Sequence, residues 1–550
     1  MKKEGIFKRI AGLTLAATMV FSLASCGGSA DSGKSNAGSQ SGAATRSGAA
    51  TSAAAGQIDT EASIAVGSTA QQFLGHFDIC QLFSTECSTA AGYLLYDQLF
   101  SIGSDGKWYS DILKSYEWST EAENQLVLTL KDNIYFSNGD QMTMEDVLYS
   151  MQRFAQSPRG ATNFTVVDFD NSKISDDGMT LYLQYTQPYG PWQSGLNIFV
   201  MDKSFVEGLG DSPDWFSKDS VCGSGPYTVK ESTTDVSITF ERRDDWWMKD
   251  EADEGVASAK EITIYKYTDD TTMMADYMNG VIDVAINLTA DDCDEIAADS
   301  SLGTYVPVSS NASAVIVLSP ENEILKNDKI REAICLGTDG AAIADQAWGI
   351  LATPSKSTLN ESNPYFKDGH AYTYDPDAAK KLVEESGISN PELTFVTNTA
   401  GTSTKIAESF QYYMEQIGIK VNVESFDQST AVADYWTQSG GTDFFINGAA
   451  IATATNEAAD VYTFYRDSFA YKCTAQSDPE IIDLLEKGRG TTDDSERAQI
   501  YSDVQDWFYD HHSMVPVGQW STAYAYNSRI GTCDIPITGS PSLRNISVIG

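Results

Sequence analysis

The stretch Val221–Val229, VCGSGPYTV, decides how the rest of the chain is arranged. Gly223 and Gly225 allow backbone conformations that other residues avoid, and Pro226 fixes φ and lacks an N–H donor. Such a stretch suits a chain that passes between two folded bodies, or a backbone that lies close to a ligand. Tyr227–Val229 alternates as a strand does. An ordinary tight bend at the start of a strand is the competing interpretation.

Ser224 raises the alternative of a hydrolase nucleophile, which needs the frame G-x-S-x-G followed by a helix. The frame here is C-G-S-G-P and a strand follows, so we expect no catalytic residue and no enzyme activity. His511 and His512 are adjacent and would point about 100° apart on a helix, which prevents them from sharing a metal ion. The sequence therefore predicts neither a metal site nor a cofactor.

The composition restricts the partners of the folded body. The 550 residues are enough for two or three lobes, and 42% of them are hydrophobic. The formal net charge of −41 disfavours nucleic acid and anionic lipid headgroups. Eight cysteines occur without a C-x-x-C pair, and the seven besides Cys26 are scattered. That argues against a disulfide framework but leaves one or two bridges open.

The first residues have the features of a lipoprotein leader. Four basic residues precede the apolar run Ile10–Leu23, which is too short for a confident membrane span. The run ends in Leu23–Cys26, LASC, which resembles a bacterial lipobox. Residues 1–26 are therefore predicted to hold a signal peptide cleaved before Cys26, and the Cys26 thiol to carry lipid. Ordinary secretion is the alternative.

Residues 27–57 are predicted to be a disordered tether. The segment consists almost entirely of Gly, Ser, Ala, Thr and Asn, so it has too little apolar surface to offset the entropy of ordering. Its r.m.s. reach is roughly 30 Å. Such a tether lets a folded body move near a membrane, on its extracytoplasmic face, without touching it.

Local patterns predict several regular elements. Leu126–Leu130 alternates as a strand, Asn138-Gly139 makes a turn, and Thr143 with Asp146 forms a capping box before a helix that reaches Phe154. A helix is also predicted over 90–100. The later half alternates between strands and helices, which indicates a parallel or mixed sheet. The predicted helix starts there are Asp328, Asp339, Asp375, Asp478 and Asp493, with a helix over 403–417 and strands over 419–424 and 443–446.

Six segments in a fixed order resemble the extracytoplasmic solute-binding proteins of the dipeptide/oligopeptide/nickel ABC-transporter family. The resemblance covers nearly all of the chain from Ile58 onward. Each motif is moderately specific by itself, and the order makes the set highly specific. The segments are LTLKDNIYFSNGDQMTMEDVLYSMQRF, VCGSGPYTV, RRDDWW, MNGVIDVA, NDKIREAICLGTDGAAI and YDPDAAKKLVEESGI.

The resemblance implies an α/β fold of the type II periplasmic-binding class, with two lobes, a hinged cleft between them and an inserted third domain. The chain would pass between the lobes near Ser309–Asn311 and Asp506–Asp510. The implied boundaries are residues 58–97, 222–309 and 508–550 for lobe I, 98–221 for the inserted domain, and 310–507 for lobe II.

The function implied is capture rather than catalysis. A lipid-anchored body would close on a peptide or similar polar solute and deliver it to the permease and ATPase subunits of an ABC importer. A solute-sensing receptor without transport is an alternative from another class. A secreted hydrolase is a further alternative, but it would need a serine–histidine pair, and no histidine lies in such a motif.

Three loops and one aromatic corner are the predicted ligand-binding residues. A cleft needs a few placed polar groups between apolar walls. An ordinary packed corner is the alternative for the two aromatic residues. The set is Phe83, Ser84, Thr85, Gly223, Ser224, Asn447, Gly448, Thr453, Tyr189 and Trp192.

The resemblance also has a departure at the expected peptide clamp. Peptide binders of the family carry an aromatic residue and an acid after the strand that ends here at Ile446, where the present chain has Ala449 and Ala452. A free peptide amine would then lack a partner, unless Glu86 or Glu457 replaces the acid. Glu457 and Asp460 are otherwise interpreted as solvated helix charges. A neutral polar solute, or a peptide held by its backbone, is the favoured ligand.

Overall fold

The computed structural model describes residues 57–69, 77–78, 80, 86–103, 107–157, 160–211, 213–215, 217–250, 256–399, 401–447, 457–462, 478–533 and 543–550. The predictions for the leader, Cys26, the tether to residue 56, Phe83, Ser84, Thr85, Gly448 and Thr453, as well as those for the side chains of Glu86 and Asn447, lie outside what it describes. Within these ranges, no helix has the length and apolar character that a membrane crossing requires.

Strands make up most of the framework that positions the site. In chain order they are β1 Ser63–Ser68, β2 Ser101–Ile102, β3 Trp108–Tyr109, β4 Leu113–Trp118, β5 Gln125–Leu130, β6 Val167–Ile174, β7 Thr180–Tyr185, β8 Tyr227–Thr233, β9 Ser237–Arg242, β10 Glu261–Lys266, β11 Val284–Ile286, β12 Thr304–Leu318, β13 Ala352–Pro354, β14 Glu392–Asn398, β15 Lys420–Phe426, β16 Phe444–Asn447, β17 Met514–Tyr526, β18 Ile530–Cys533 and β19 Ile546–Val548.

Helices cover the faces of the sheets. They are α1 Glu86–Leu95, α2 Met144–Ala155, α3 Gly160–Asn163, α4 Trp192–Gly195, α5 Lys203–Gly208, α6 Asp270–Met278, α7 Ala290–Ala298, α8 Asp328–Leu336, α9 Gly340–Trp348, α10 Pro376–Glu385, α11 Gly401–Gln416, α12 Gln428–Thr430 (continued by a π-helical turn, Ala431–Trp436), α13 Ala458–Val461, α14 Pro479–Gly490 and α15 Asp494–Asp510.

One large mixed sheet runs through the described part of the chain in the order β15-β14-β16-β12-β17-β11-β1-β10-β9-β8, with β13 beside β17. We call β1 with β8–β11 the β1 half-sheet, and β14–β16 the β14 half-sheet. Strands β12 and β17 belong to both halves, and we call them the crossing strands. The mixed α/β class predicted from the later half of the sequence is confirmed.

The two half-sheets have separate cores. One apolar cluster, with Ile64 and Phe240, lies on one side of the β1 half-sheet, and a second, with Met273 and Ala525, lies on the other. The β14 half-sheet likewise lies between a cluster around Tyr501 and a cluster around α8, α9 and α11. Each half is therefore a sheet covered on both faces, as strands of a parallel or mixed sheet require.

A separate four-stranded sheet, β4-β5-β7-β6, forms its own core with α2. The predicted capping box is confirmed, since Thr143 Oγ1 accepts from the Glu145 amide while the Asp146 carboxylate accepts from the Thr143 amide. Leu126 and Met144 are fully buried in this core. We call this unit the β4–β7 unit.

Two sequence predictions of local structure differ from the structure. Helix α8 is capped by Asn327, one residue before the predicted Asp328, because the Asn327 side chain accepts from the Lys329 and Ile330 amides. Helix α1 ends at Leu95 rather than continuing to residue 100. There the chain turns to pair with the β4–β7 unit, where the Leu99 amide donates to the Ile198 carbonyl at 2.8 Å. The predicted caps Asp339, Asp375, Asp478 and Asp493 are confirmed.

Candidate functional site

The strand directions place a cleft between the two half-sheets. Strands β10 and β11 run parallel to β1, and β12 runs the same way because β11 and β12 are both antiparallel to β17. Strands β14, β15 and β16 run parallel to one another, and β16 is antiparallel to β12. The carboxyl ends of each half-sheet therefore point toward the other half. Ligands of open α/β sheets bind outside those ends, so this gap is the candidate site.

The crossing strands form the hinge-like base of the cleft. Between the pairs Ser309↔Ser521 and Ser313↔Gln519 the register shifts, so β12 has more residues than β17 at the point of crossing. A second shift follows between Ala314 and Val315. Such bulges bend a strand and increase its twist, which suits a connection between two bodies.

The second passage between the halves differs from the sequence prediction. Asp506–Asp510 was expected to cross, but these residues lie in α15, where Trp507 and Phe508 pack in the same cluster as Met514 of β17. Tyr524, further along β17, packs in the core of the β1 half-sheet. The change of core thus occurs within β17, because this 13-residue strand is long enough to pair with β11 in one half-sheet and to continue along β12 into the other.

The glycine-rich stretch lies where the β4–β7 unit rejoins the β1 half-sheet. A Cβ at Gly223 would come 1.9 Å from the Leu95 carbonyl oxygen, and one at Gly225 would come 2.5 Å from that of Leu94. Ser224 is fully buried, and its Oγ accepts from the Asp97 amide at 3.3 Å. The glycines are therefore required by close packing against the end of α1, and their contact with a ligand stays a prediction.

Arg243, from the RRDDWW segment, fastens this junction. Its guanidinium donates to the carbonyl oxygens of Gly223 at 3.2 Å, Gly225 at 3.0 Å and Phe136 at 3.2 Å. The rigid planar fork of an arginine has five N–H donors spread over three nitrogens, so it can hold carbonyl groups that lie too far apart for the compact ammonium of a lysine. Arg243 thus joins the glycine-rich stretch to the turn that follows β5.

A buried ion pair lies next to the junction. Asp97 accepts from Trp247 Nε1 at 2.8 Å and from Arg544 Nη1 at 3.2 Å, and the Arg544 guanidinium lies 4.7 Å from the Trp246 ring centroid. Burial raises the pKa of Asp97, and Arg544 opposes that shift. The pair ties the segment after α1 to the last residues of the chain, and both of its side chains are buried.

Tyr189 and Trp192, the predicted aromatic corner, are packed inside the β4–β7 unit. Tyr189 stacks on Tyr185 with ring centroids 6.1 Å apart, and burial raises the pKa of Tyr189 to about 12. Trp192 lies edge-on to Phe100 at 5.3 Å and to Trp118 at 6.0 Å. The packed corner that was the alternative explanation accounts for both rings, and a role for them in ligand binding stays a prediction.

The same corner contacts the helices of the β14 half-sheet. The Gly190 amide donates to the Arg489 carbonyl at 2.7 Å, and Ser194 Oγ donates to the Asp460 carboxylate at 2.8 Å. The Arg489 guanidinium lies 5.5 Å from the Tyr189 ring centroid. We call this contact the corner interface. It joins the β4–β7 unit directly to the half of the molecule across the cleft.

Glu457 is not a solvated helix charge, and that interpretation was wrong. It is 7% exposed and accepts from Arg497 Nη2 at 2.7 Å. Arg497 also donates to the Tyr365 hydroxyl at 2.7 Å and to the Gly488 carbonyl at 3.1 Å. Burial raises the pKa of Glu457, against the opposing charge of Arg497. Because Arg497 already partners it, Glu457 is an unsuitable substitute for a peptide clamp.

Sequence reasoning missed Arg243, Asp97 and Arg497, which organise the surroundings of the cleft. Arg243 lies in the quoted RRDDWW segment but was not singled out, whereas Asp97 and Arg497 have no local pattern, since Asp97 and Arg544 are 447 positions apart and Arg497 and Glu457 are 40 apart. A charge within an otherwise apolar segment could have drawn attention to Asp97, which lies in YLLYDQLF, but no such signal surrounds Arg497. Among the described residues, no group of three or more His, Cys, Asp or Glu side chains is arranged to hold a metal ion.

Comparison with known proteins identifies the family to which the sequence of this chain is similar. The model of the bacterial extracellular solute-binding proteins, family 5 Middle, matches residues 107–471. The glutathione-binding protein GsiB of Pectobacterium atrosepticum is 22% identical over 462 residues, which cover 81% of this chain and 86% of that protein. The oligopeptide-binding protein OppA of Bacillus subtilis is 21% identical over 487 residues, covering 82% of this chain and 86% of its own.

A solved structure agrees with this assignment at the level of the fold. The ABC-transporter substrate-binding protein CtaP of Listeria monocytogenes superposes with a TM-score of 0.75 at 22% identity, over 89% of this chain and 99% of that one. It has the type II periplasmic-binding fold that the sequence predicted. The chain therefore belongs to the bacterial extracellular solute-binding proteins of family 5.

Proposed function

We propose that this protein is the lipid-anchored substrate-binding protein of an ABC importer, which captures a peptide or similar polar solute by closing its cleft and delivers it to a membrane permease. The observation that carries the proposal is the pair of crossing strands, which join two half-sheets whose carboxyl ends face each other. A two-strand connection lets the halves rotate while each core stays packed.

The class of ligand is supported by relatives. Two of them are described as a glutathione-binding and an oligopeptide-binding protein, so peptides and peptide-like solutes are the first compounds to test. Ala449 and Ala452 stand where peptide binders of the family carry an aromatic residue and an acid. Because a buried ammonium without a carboxylate partner costs several kcal/mol, ordinary free-amine di- and tripeptides should bind weakly or not at all.

The anchor is supported by the LASC box at Leu23–Cys26 after a basic and apolar leader. Two acyl chains hold a protein on a membrane stably, whereas one does so marginally. Cys26→Ala should retain the leader or release soluble protein. Unchanged membrane fractionation of this variant would contradict lipid anchoring and leave solute capture untouched.

The decisive experiment identifies the solute. Native mass spectrometry of the purified protein would detect what co-purifies, and calorimetry with that compound would measure its affinity. Small-angle scattering should then show a smaller radius of gyration at saturating ligand. Tight binding without compaction would contradict closure, and sub-micromolar binding of tripeptides that is lost on N-acetylation would contradict the predicted preference for ligands without a free amine.

A further inference from the structure

Three polar residues lie side by side across the base of the cleft. Ser313 of β12 is paired directly with Gln519 of β17, which is paired on its other side with Thr353 of β13. Directly opposed residues of neighbouring strands project from the same face, with Cβ atoms about 5 Å apart. Ser313 and Gln519 are each 4% exposed, while Thr353 is exposed. The row therefore leads from the interior to solvent.

Each of the two buried members of this row has one side-chain polar atom without a hydrogen-bond partner among the described residues. Ser313 Oγ and Gln519 Nε2 are both inaccessible to solvent and have no partner within the part of the chain that the structure describes. Leaving a buried polar group unpaired costs about 1–3 kcal/mol, so such groups call for an explanation. Two such groups next to each other indicate a site where a further molecule supplies the missing hydrogen bonds.

A second buried serine–glutamine pair shows how these residue types behave when their role is structural. Ser357 Oγ donates to Gln505 Oε1 at 2.8 Å, and Gln505 Nε2 donates to the carbonyl oxygens of Tyr365 and Tyr501, each at 2.8 Å. Gln505 and Ser357 are fully buried, and these contacts satisfy them. Within the described part of the chain, the same chemistry is thus satisfied inside the core and left unsatisfied at the crossing strands.

The position of the unpaired row matches the cleft. The last residue of β16, Asn447, pairs with Val315, so Ser313 lies two residues beyond the end of β16, on the side toward the β1 half-sheet. It also borders the register shift where β12 crosses. Ser313 and Gln519 therefore stand at the carboxyl edge of the β14 half-sheet, where a ligand of this fold would lie.

We propose that Ser313 and Gln519 form a hydrogen-bonding subsite for an uncharged amide group of the ligand, with the Gln519 Nε2 donating to its carbonyl oxygen and the Ser313 hydroxyl bonding to the same group. This inference rests on the proposed function. The two donors fit a carbonyl oxygen and supply no positive charge to neutralise a carboxylate, which the net charge of −41 further disfavours. The subsite suits a backbone amide rather than a charged terminus.

The first arm of the test needs no ligand. Thermal unfolding of the extensively dialysed protein compares Ser313→Ala and Gln519→Met with the control Gln505→Met. Removing an unpaired polar group relieves its desolvation, so the first two variants should melt at or above the wild-type temperature. Gln505→Met should melt several degrees lower because its partners are left unsatisfied. Equal losses in all three variants would show a structural role for the row and overturn the subsite.

The second arm measures binding by calorimetry with three probes: reduced glutathione, trialanine and N-acetyl-trialanine amide. For every probe that the wild type binds, the Ser313→Ala/Gln519→Met double variant should bind roughly 10- to 100-fold more weakly, as expected for two lost hydrogen bonds. Unchanged affinity would overturn the subsite while leaving solute capture intact. If the wild type binds none of the probes, the peptide-like ligand fails, and the unfolding arm alone decides the subsite.

Discussion

Replacing Gly190 with alanine should separate the β4–β7 unit from the half of the molecule across the cleft. A Cβ at this position would lie 2.3 Å from the Thr491 carbonyl oxygen and 2.7 Å from Arg497 Nε. Packed atoms do not tolerate such contacts, so the segment has to retreat by roughly 1 Å. The bond from the Gly190 amide to the Arg489 carbonyl, now 2.7 Å, would then exceed about 3.5 Å and be lost.

The magnitude follows from the contacts of the corner interface. The backbone bond contributes about 1 kcal/mol, and the weakened stacking of Arg489 over Tyr189 about as much again. A total of about 2 kcal/mol changes the ratio of docked to separated forms roughly 30-fold. If docking belongs to the closed form, ligand affinity should fall by a similar factor.

Small-angle scattering and thermal unfolding of the ligand-free protein check this expectation. Gly190→Ala should have a larger radius of gyration and a melting temperature lower by roughly 2–4 °C. Gly490→Ala is the matched control, because its Cβ would meet no atom within 4 Å although it follows Arg489 directly. A Gly190→Ala protein that matches both the wild type and this control would refute the idea that the corner interface holds the two halves together.

Three further predictions concern buried groups. Arg497→Met should lower the free energy of unfolding by about 3–5 kcal/mol because Glu457 stays buried without its partner. Denaturant unfolding measures this change, and a loss below about 1 kcal/mol would contradict the prediction. Burial lowers the pKa of His512 from 6.5. Its contribution to the free energy of unfolding is therefore present above pH 6.5 and is lost as the pH falls through the folded pKa. His512→Asn, which suits the φ of 51°, should reduce this fall of the melting temperature with decreasing pH, as melting curves recorded at a series of pH values would show. Gly223→Ala should fail to give soluble folded protein, since its Cβ would lie 1.9 Å from the Leu95 carbonyl oxygen, and normal yield with an unchanged melting temperature would disprove the close packing.

Local elements could be predicted because their signals lie within a few residues. Thr143 and Asp146 form a reciprocal capping box at the start of α2, and Asp375 caps α10 by accepting from the Ala378 amide, with Pro376 in the first turn. The family could be predicted because six such local units recur in a fixed order. The helix predicted over 90–100 ended early because pairing of Leu99 with Ile198, a contact between distant segments, overrides local propensity.

The candidate site was far less predictable. The sequence suggested loops and aromatic residues, yet the described residues around the cleft are held by Arg243, Asp97 and Arg497, which bond to groups distant in the chain. The row of Ser313 and Gln519 has no sequence signal, because it depends on the register of two strands more than 200 residues apart. A one-residue slip of either strand would turn these side chains to the opposite face.

By itself, the sequence determined many of the longer helices and their caps, several of the strands and the family, since hydrophobic period, turns and capping act over short distances. Only the tertiary structure decided where β17 passes from one core to the other, which charges are buried in pairs, and which polar atoms stay unpaired at the cleft. Those properties arise from strand register and close packing between distant segments, and many alternative pairings are compatible with the same local pattern.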